Sequence, residues 1–145
     1  AAATTDTVRG LDVDSWWEVD GTNRYSTNAA FTNALNLTSV ENLFGGSGLD
    51  IFTVSGTQSV ELRGGPQTDT FIFNDSTVLD GTLDGEGGEN NTFDYSLWIA
   101  THPVTVNLFA HSATNTRGIY NIQKIICSTG DDTLLGSSSD ETFVG

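Results

Sequence analysis

Methionine is absent from the 145 residues, position 1 included, and cysteine occurs once. The missing methionine implies a processed product or an excised piece. The lone Cys127 excludes an internal disulfide. Lysine and arginine together number 5, against 19 aspartates and glutamates, for a net charge of −14. Nucleic acids and anionic membranes bind basic surfaces, so neither is expected as a partner. The same charge favours solubility at high salt and cations as ligands. No stretch approaches the roughly 20 apolar residues of a membrane helix, so no span is expected. Ala1-Ala2-Ala3-Thr4 has neither the charged start nor the apolar core of a signal peptide. Any secretion signal is therefore expected outside this chain or already removed.

Glycine (16 residues), threonine and asparagine are abundant instead. That composition favours strands and turns over helices. A chain of this length fits one domain and can bury a core of its own. Residues 41–145 carry a recurring unit, and residues 1–40, which lack it, are expected to form first coils or a cap.

The unit is Gly45-Gly46-Ser47-Gly48-Leu49-Asp50-Ile51-Phe52-Thr53, which meets G-G-x-G-x-D-x-U-x at every specified position, U being a large apolar residue. Gly64-Gly65-Pro66-Gln67-Thr68-Asp69-Thr70-Phe71-Ile72 is a degraded copy with Gln67 in place of the third glycine. Weaker copies occupy 127–135 and 136–144, the latter with Glu141 at the aspartate position. Another begins at Gly85 and ends at Phe93. The glycine half needs backbone angles that only glycine adopts cheaply and so forms a tight turn. The D-x-U half reads as a short strand with its apolar residue inward. Two such units make one coil, and a coil cannot bury its apolar face alone. The expectation is an all-β, right-handed parallel β-solenoid (β-roll or β-helix) with little or no helix. Phe52, Phe71, Val106, Leu134 and Phe143 are expected inside it. Val104, Val106 and Leu108 alternate with Thr105 and Asn107, as a half-buried strand does. Ile119 to Ile126 reads as one further strand.

These nonapeptides resemble the repeats-in-toxin, or haemolysin-type calcium-binding, family. The wider layout resembles long modules of giant bacterial extracellular proteins, carried by Trp17-Glu18-Val19-Asp20-Gly21, Val40-Glu41-Asn42-Leu43-Phe44-Gly45-Gly46 and Pro103 to Leu108. The resemblance implies an extracellular or cell-surface location and roles in surface layers, adhesion or filaments. In that family calcium sits between successive turns and takes aspartate and turn-carbonyl oxygens. Carried over, this implies a calcium site of Asp50, Asp69, Gly46, Gly48 and Gly65. Family members carry several intact copies in tandem; this chain has one, and Pro66 and Gln67 interrupt the second. The competing reading has each aspartate capping its own turn. Asp132 has no aspartate one coil earlier, where Thr114 falls, and Glu141 counts onto the opposite side of its coil.

Catalytic groupings are scarce. His102 and His111 lack a third ligand at metal spacing and read as polar residues at strand ends. Asp131 and Asp132 are adjacent, so on a strand they face opposite sides. Of Trp16 and Trp17, one is expected in the core and one outside. Five basic residues make a polysaccharide-active cleft hard to assemble. The chain therefore reads as a non-enzymatic structural or interaction module of an extracellular bacterial fibre, surface layer or adhesin stalk. Its expected partners are copies of itself stacked head to tail and a surface polysaccharide. A calcium-binding module and a polysaccharide-binding or polysaccharide-active β-helix are the alternatives.

Overall fold

The computed structural model describes residues 5–145. The small, uncharged segment Ala1-Ala2-Ala3-Thr4-Thr5 is expected from the sequence to pack closely against a neighbouring copy; its first four residues lie outside the described residues. The strands are short. In the first third they are β1 (Thr7–Arg9), β2 (Ser15–Val19), β3 (Arg24–Ser26), β4 (Leu35–Asn36) and β5 (Asn42–Phe44). There follow β6 (Asp50–Val54), β7 (Thr57–Gln58), β8 (Glu61–Gly65), β9 (Thr70–Phe73), β10 (Val78–Glu86) and β11 (Thr92–Asp94). The last are β12 (Thr105–Asn107), β13 (Ser112–Ala113), β14 (Thr116–Tyr120), β15 (Lys124–Ile126), β16 (Thr133–Leu135) and β17 (Thr142–Val144). No helix occurs among the described residues, as the composition implies.

The strands form three sheets. The first runs β1-β5-β8-β10-β14, with β7 beside the start of β10; the second runs β17-β15-β11-β9-β6-β2-β3-β4; the third is β13-β12-β16. The chain passes repeatedly from the first sheet to the second: β1 to β2, β5 to β6, β8 to β9, β10 to β11, β14 to β15. Within both sheets those strands pair in parallel.

Parallel register stacks like positions into columns. In the second sheet Trp17, Phe52, Phe71, Phe93, Ile125 and Phe143 lie rung upon rung. Trp17 stacks on Phe52 at 5.2 Å and 12°. Phe52 stacks on Phe71 at 5.1 Å and 11°. Opposite them, Val8, Leu43, Leu62, Leu83 and Ile119 form a column in the first sheet. The two columns meet in the core, where all but Val8 and Phe143 are buried. Strand alternation explains the choice of face: in β2 Ser15, Trp17 and Val19 point in while Trp16 and Glu18 point out.

Four expectations need correction. The pairing is mixed: β2–β3, β3–β4 and β12–β13 are antiparallel, because residues 24–36 and 105–113 fold back as hairpins on the rungs. Phe143 is 38% exposed, since its rung has a neighbour on one side only, and Leu134 is only partly covered. Ile119 to Ile126 is two strands, not one. Asn121 adopts a left-handed φ of 53° and turns the chain from β14 to β15, so Ile119 and Ile125 reach the core from different sheets. Finally, Asn91 and Phe93 align with Asp69 and Phe71, placing the weak third copy one residue later than its glycines indicate.

Candidate functional site

Two positions before each member of the aromatic column lies a polar residue: Ser15, Asp50, Asp69, Asn91, Gln123 and Glu141. Register puts these on one edge of the second sheet, and the first four are fully buried. At three successive steps, from Asp50 to Gln123, the side chain of one rung satisfies the backbone of the rung before. Asp50 N–H donates to Asp69 Oδ1 at 2.8 Å. Asp69 N–H donates to Asn91 Oδ1 at 2.8 Å. Asn91 N–H donates to Gln123 Oε1 at 3.0 Å. In the third sheet Asp132 repeats the device, accepting from Val104 N–H at 2.8 Å. Its partner, Val104, immediately precedes β12 and is not Thr114, because residues 104–113 lengthen the intervening coil.

Two of the acidic members, Asp50 and Glu141, also close their own turns. Asp50 Oδ2 accepts from Gly46 N–H at 2.9 Å, and Oδ1 accepts from Trp17 Nε1 at 2.8 Å. Glu141 accepts from Ser137 N–H at 3.0 Å. Glu141 therefore stands on the same side as Asp50 and Asp69, and across its coil from Asp132, which immediately precedes β16 of the third sheet. Aspartate capping its own turn is what Asp50 does.

The glycines of the proposed calcium site have packing roles. A Cβ on Gly46 would overlap the Leu11 carbonyl, and one on Gly48 would overlap Val13. Gly65 has φ +123°, open only to glycine, and sits against the Gly46 carbonyl. Side chains on Gly45 and Gly64 would collide with the carboxyls of Asp50 and Asp69.

This arrangement suits calcium poorly. The ion takes 6–8 oxygens. Both Asp50 oxygens already hold protein N–H groups, as does Asp69 Oδ1. Of the four oxygens of this carboxyl pair, Asp69 Oδ2 alone is buried without a partner among the described residues. No group of three or more His, Cys, Asp or Glu is gathered at metal spacing among the described residues. The arrangement suits a proton better. Burial pushes the Asp69 carboxyl up to about 7, against the pull of the Asp50 N–H, and the charges of Asp50 and Glu86 add to the rise. Burial raises Asp50 to about 6, against its bonds from Trp17 and Gly46, with Asp14 adding a smaller rise.

One grouping escaped sequence reasoning. His102 Nδ1 lies 3.0 Å from Asp75 Oδ1 and 3.2 Å from Ser76 Oγ. Hydrogen bonds from His102 and from Ile99 N–H hold the exposed Asp75 carboxyl below its usual range. Carboxylate and hydroxyl share one ring nitrogen, so the imidazole cannot relay a proton between them as a serine triad requires. The 26 residues separating Ser76 from His102 hide the cluster in sequence. His111 stacks on Tyr120 at 5.0 Å. Cys127 is buried, and burial together with Asp132 raises its thiol, the reverse of an activated nucleophile. Arg24, Arg63 and Arg117 are each paired with a carboxylate, Glu18, Glu86 and Asp80, so three of the five basic residues are dispersed in separate pairs. Trp17 is in the core and Trp16 on the outer face, as expected. Compared with known proteins, the chain matches no family model, no curated protein and no solved structure.

Proposed function

We propose that this chain is a structural module of an extracellular bacterial assembly, wound as a right-handed parallel β-solenoid and stacked end to end, without catalytic activity. Right-handed crossovers are the general rule for parallel strands joined within a sheet. The observation that carries the reading is the state of the aromatic column. Its first five members are buried, and Phe143, on the open edge of β17, is not. An edge strand of that kind is a template for a further strand. The opposite edge of the same sheet is β4, where Leu35 is 56% exposed. Beside it Val8, Leu11, Tyr25 and Leu35 line a groove of about 350 Å³. Apolar side chains at both ends, unlike in detail, suit a head-to-tail contact, which propagates rather than closes. The net charge of −14 opposes lateral clumping.

Light scattering and electron microscopy test this directly. Wild type is expected to form rods whose mean length grows with concentration, and Phe143→Asp is expected to return it to a monomer. A monodisperse monomer at high concentration would sink the proposal.

A calcium-binding module is the second reading, favoured by the single observation of the unpartnered Asp69 Oδ2. A ligand bound only to the folded state raises stability by mass action. The proton reading expects identical melting curves with and without excess chelator. A melting temperature lowered by chelator and restored by calcium would establish the ion instead.

A further inference from the structure

The stacking is interrupted once in its C-terminal half. Residues 104–113 form the β12–β13 hairpin, and β16 pairs with β12 instead of following β14. The first sheet therefore ends at β14, while β17 continues the second. Between the hairpin, the corner after β14 and the turn joining β16 to β17, a crevice of about 360 Å³ is left. Ligand pockets begin at about this size, 300–1,000 Å³, enough here for about one or two pyranose rings.

Its lining is specific in character. Phe109 is 78% exposed at the rim. An apolar ring so exposed gains nothing for the fold. Beside it His111, held at a left-handed φ of 54°, presents a ring stacked on Tyr120. The polar wall includes Gln123, Ser138 and Glu141. The Gln123 carbonyl is engaged by Asn91 N–H; its amide nitrogen, the Ser138 hydroxyl and the His111 ring nitrogens make no hydrogen bond among the described residues. No lysine or arginine lines the crevice, and Glu141 is a carboxylate on a chain of net charge −14, so an anion would be repelled.

We propose that this crevice binds a neutral saccharide. A pyranose ring offers an apolar face to an aromatic platform and hydroxyls to mixed donors and acceptors. Amide, hydroxyl, imidazole and carboxylate groups around Phe109 provide both. Phosphate and uronate ligands lack a cation to meet. The inference does not depend on end-to-end stacking, since Phe109 stands on the hairpin and not on the β17 edge.

The test is titration with cellotetraose, xylotetraose, mannotetraose and chitotetraose, followed by calorimetry and amide chemical shifts, with tetragalacturonate as the anionic comparison. At least one neutral sugar is expected to bind with a Kd on the order of 10⁻⁴ M, with shifts concentrated at 108–111, 121–123 and 137–141. Phe109→Ala is expected to weaken it at least about tenfold, roughly the 1.4 kcal/mol of one decade, and to leave the melting temperature unchanged because the side chain is exposed. Ser138→Ala provides a second variant outside the core. Three results would each overturn the proposal: no neutral sugar binding up to about 10 mM, in the millimolar range where binding free energy falls to a few kcal/mol; binding indifferent to Phe109→Ala; or binding of the uronate alone.

Discussion

Truncating Phe71 to alanine is expected to lower stability by about 3–5 kcal/mol, the range for removing a buried phenylalanine. Phe71 is wholly inaccessible, stacks on Phe52 at 5.1 Å, and faces Phe93 on the next rung. Its loss would leave a cavity in the middle of a column whose neighbours are fixed by backbone pairing on both sides and so cannot collapse into it. Phe143→Ala, in the same column, is expected to change monomer stability by less than about 1 kcal/mol, as partly solvated side chains usually do. Chemical denaturation of the two variants against wild type measures the contrast. Similar losses for both would mean that the column does not hold the fold together.

Acid is expected to stabilise this protein. Asp50 and Asp69 have folded-state pKa values raised to about 6 and about 7, above the ordinary carboxyl range of the unfolded chain. Between those limits the folded state binds more protons than the unfolded one, so stability falls as pH rises. Their contribution is fully present below about pH 4, where both states are protonated. It is lost as the pH passes through the two folded values. At about 1.4 kcal/mol per pKa unit, the expected loss between pH 5 and pH 8 is on the order of 3 kcal/mol. Asp75 and Asp80 are shifted downward and act in the opposite sense, but both are exposed and paired at the surface, where such pairs contribute little. Asp69→Asn is expected to flatten the pH dependence and to raise stability at pH 8. The amide keeps the oxygen that accepts from Asp50 N–H and removes the buried charge, and the next rung already carries Asn91, whose Nδ2 donates to the carbonyls of Gly87 and Asn121. Asp50→Asn should also flatten the pH dependence, since it removes the other titrating group, but it should lower stability at pH 8 rather than raise it. Both Asp50 oxygens accept, so an amide would set one N–H against another, a loss of about 1–3 kcal/mol. Urea midpoints at pH 5 and pH 8 decide the matter; a higher wild-type midpoint at pH 8 would refute it.

Much of the local structure was legible in the residues. Glycine, threonine and asparagine in place of the helix formers predicted an all-β chain. The D-x-U half of the repeat located β6 and β9 and put Phe52 and Phe71 inside. Alternation put one of Trp16 and Trp17 in the core and the other outside, and showed that Val104, Val106 and Leu108 share a buried face. Such features depend on neighbours one or two residues away, and a strand sends successive side chains to opposite faces whatever it later packs against.

Which rung lies on which could not be read the same way. Successive ladder positions are separated by 19, 22 and 32 residues from Asp50 to Gln123, because hairpins and corners of different length intervene, and loop length leaves no periodic trace. Counting by eighteens therefore set Thr114 one coil before Asp132, and β-branched content ran Ile119 to Ile126 together as one strand. The chemistry of Asp50 and Asp69 was decided at the same level. Spacing marked both as turn carboxylates and alone determined that they recur about one coil apart. Only the folded stack decided that Trp17 and Gly46 occupy both oxygens of Asp50, that Asp50 N–H takes one of Asp69, and that the last oxygen is sealed from water. A carboxylate meets its environment through residues distant in sequence, and parallel stacking, not the repeat itself, brings those residues within hydrogen-bonding distance.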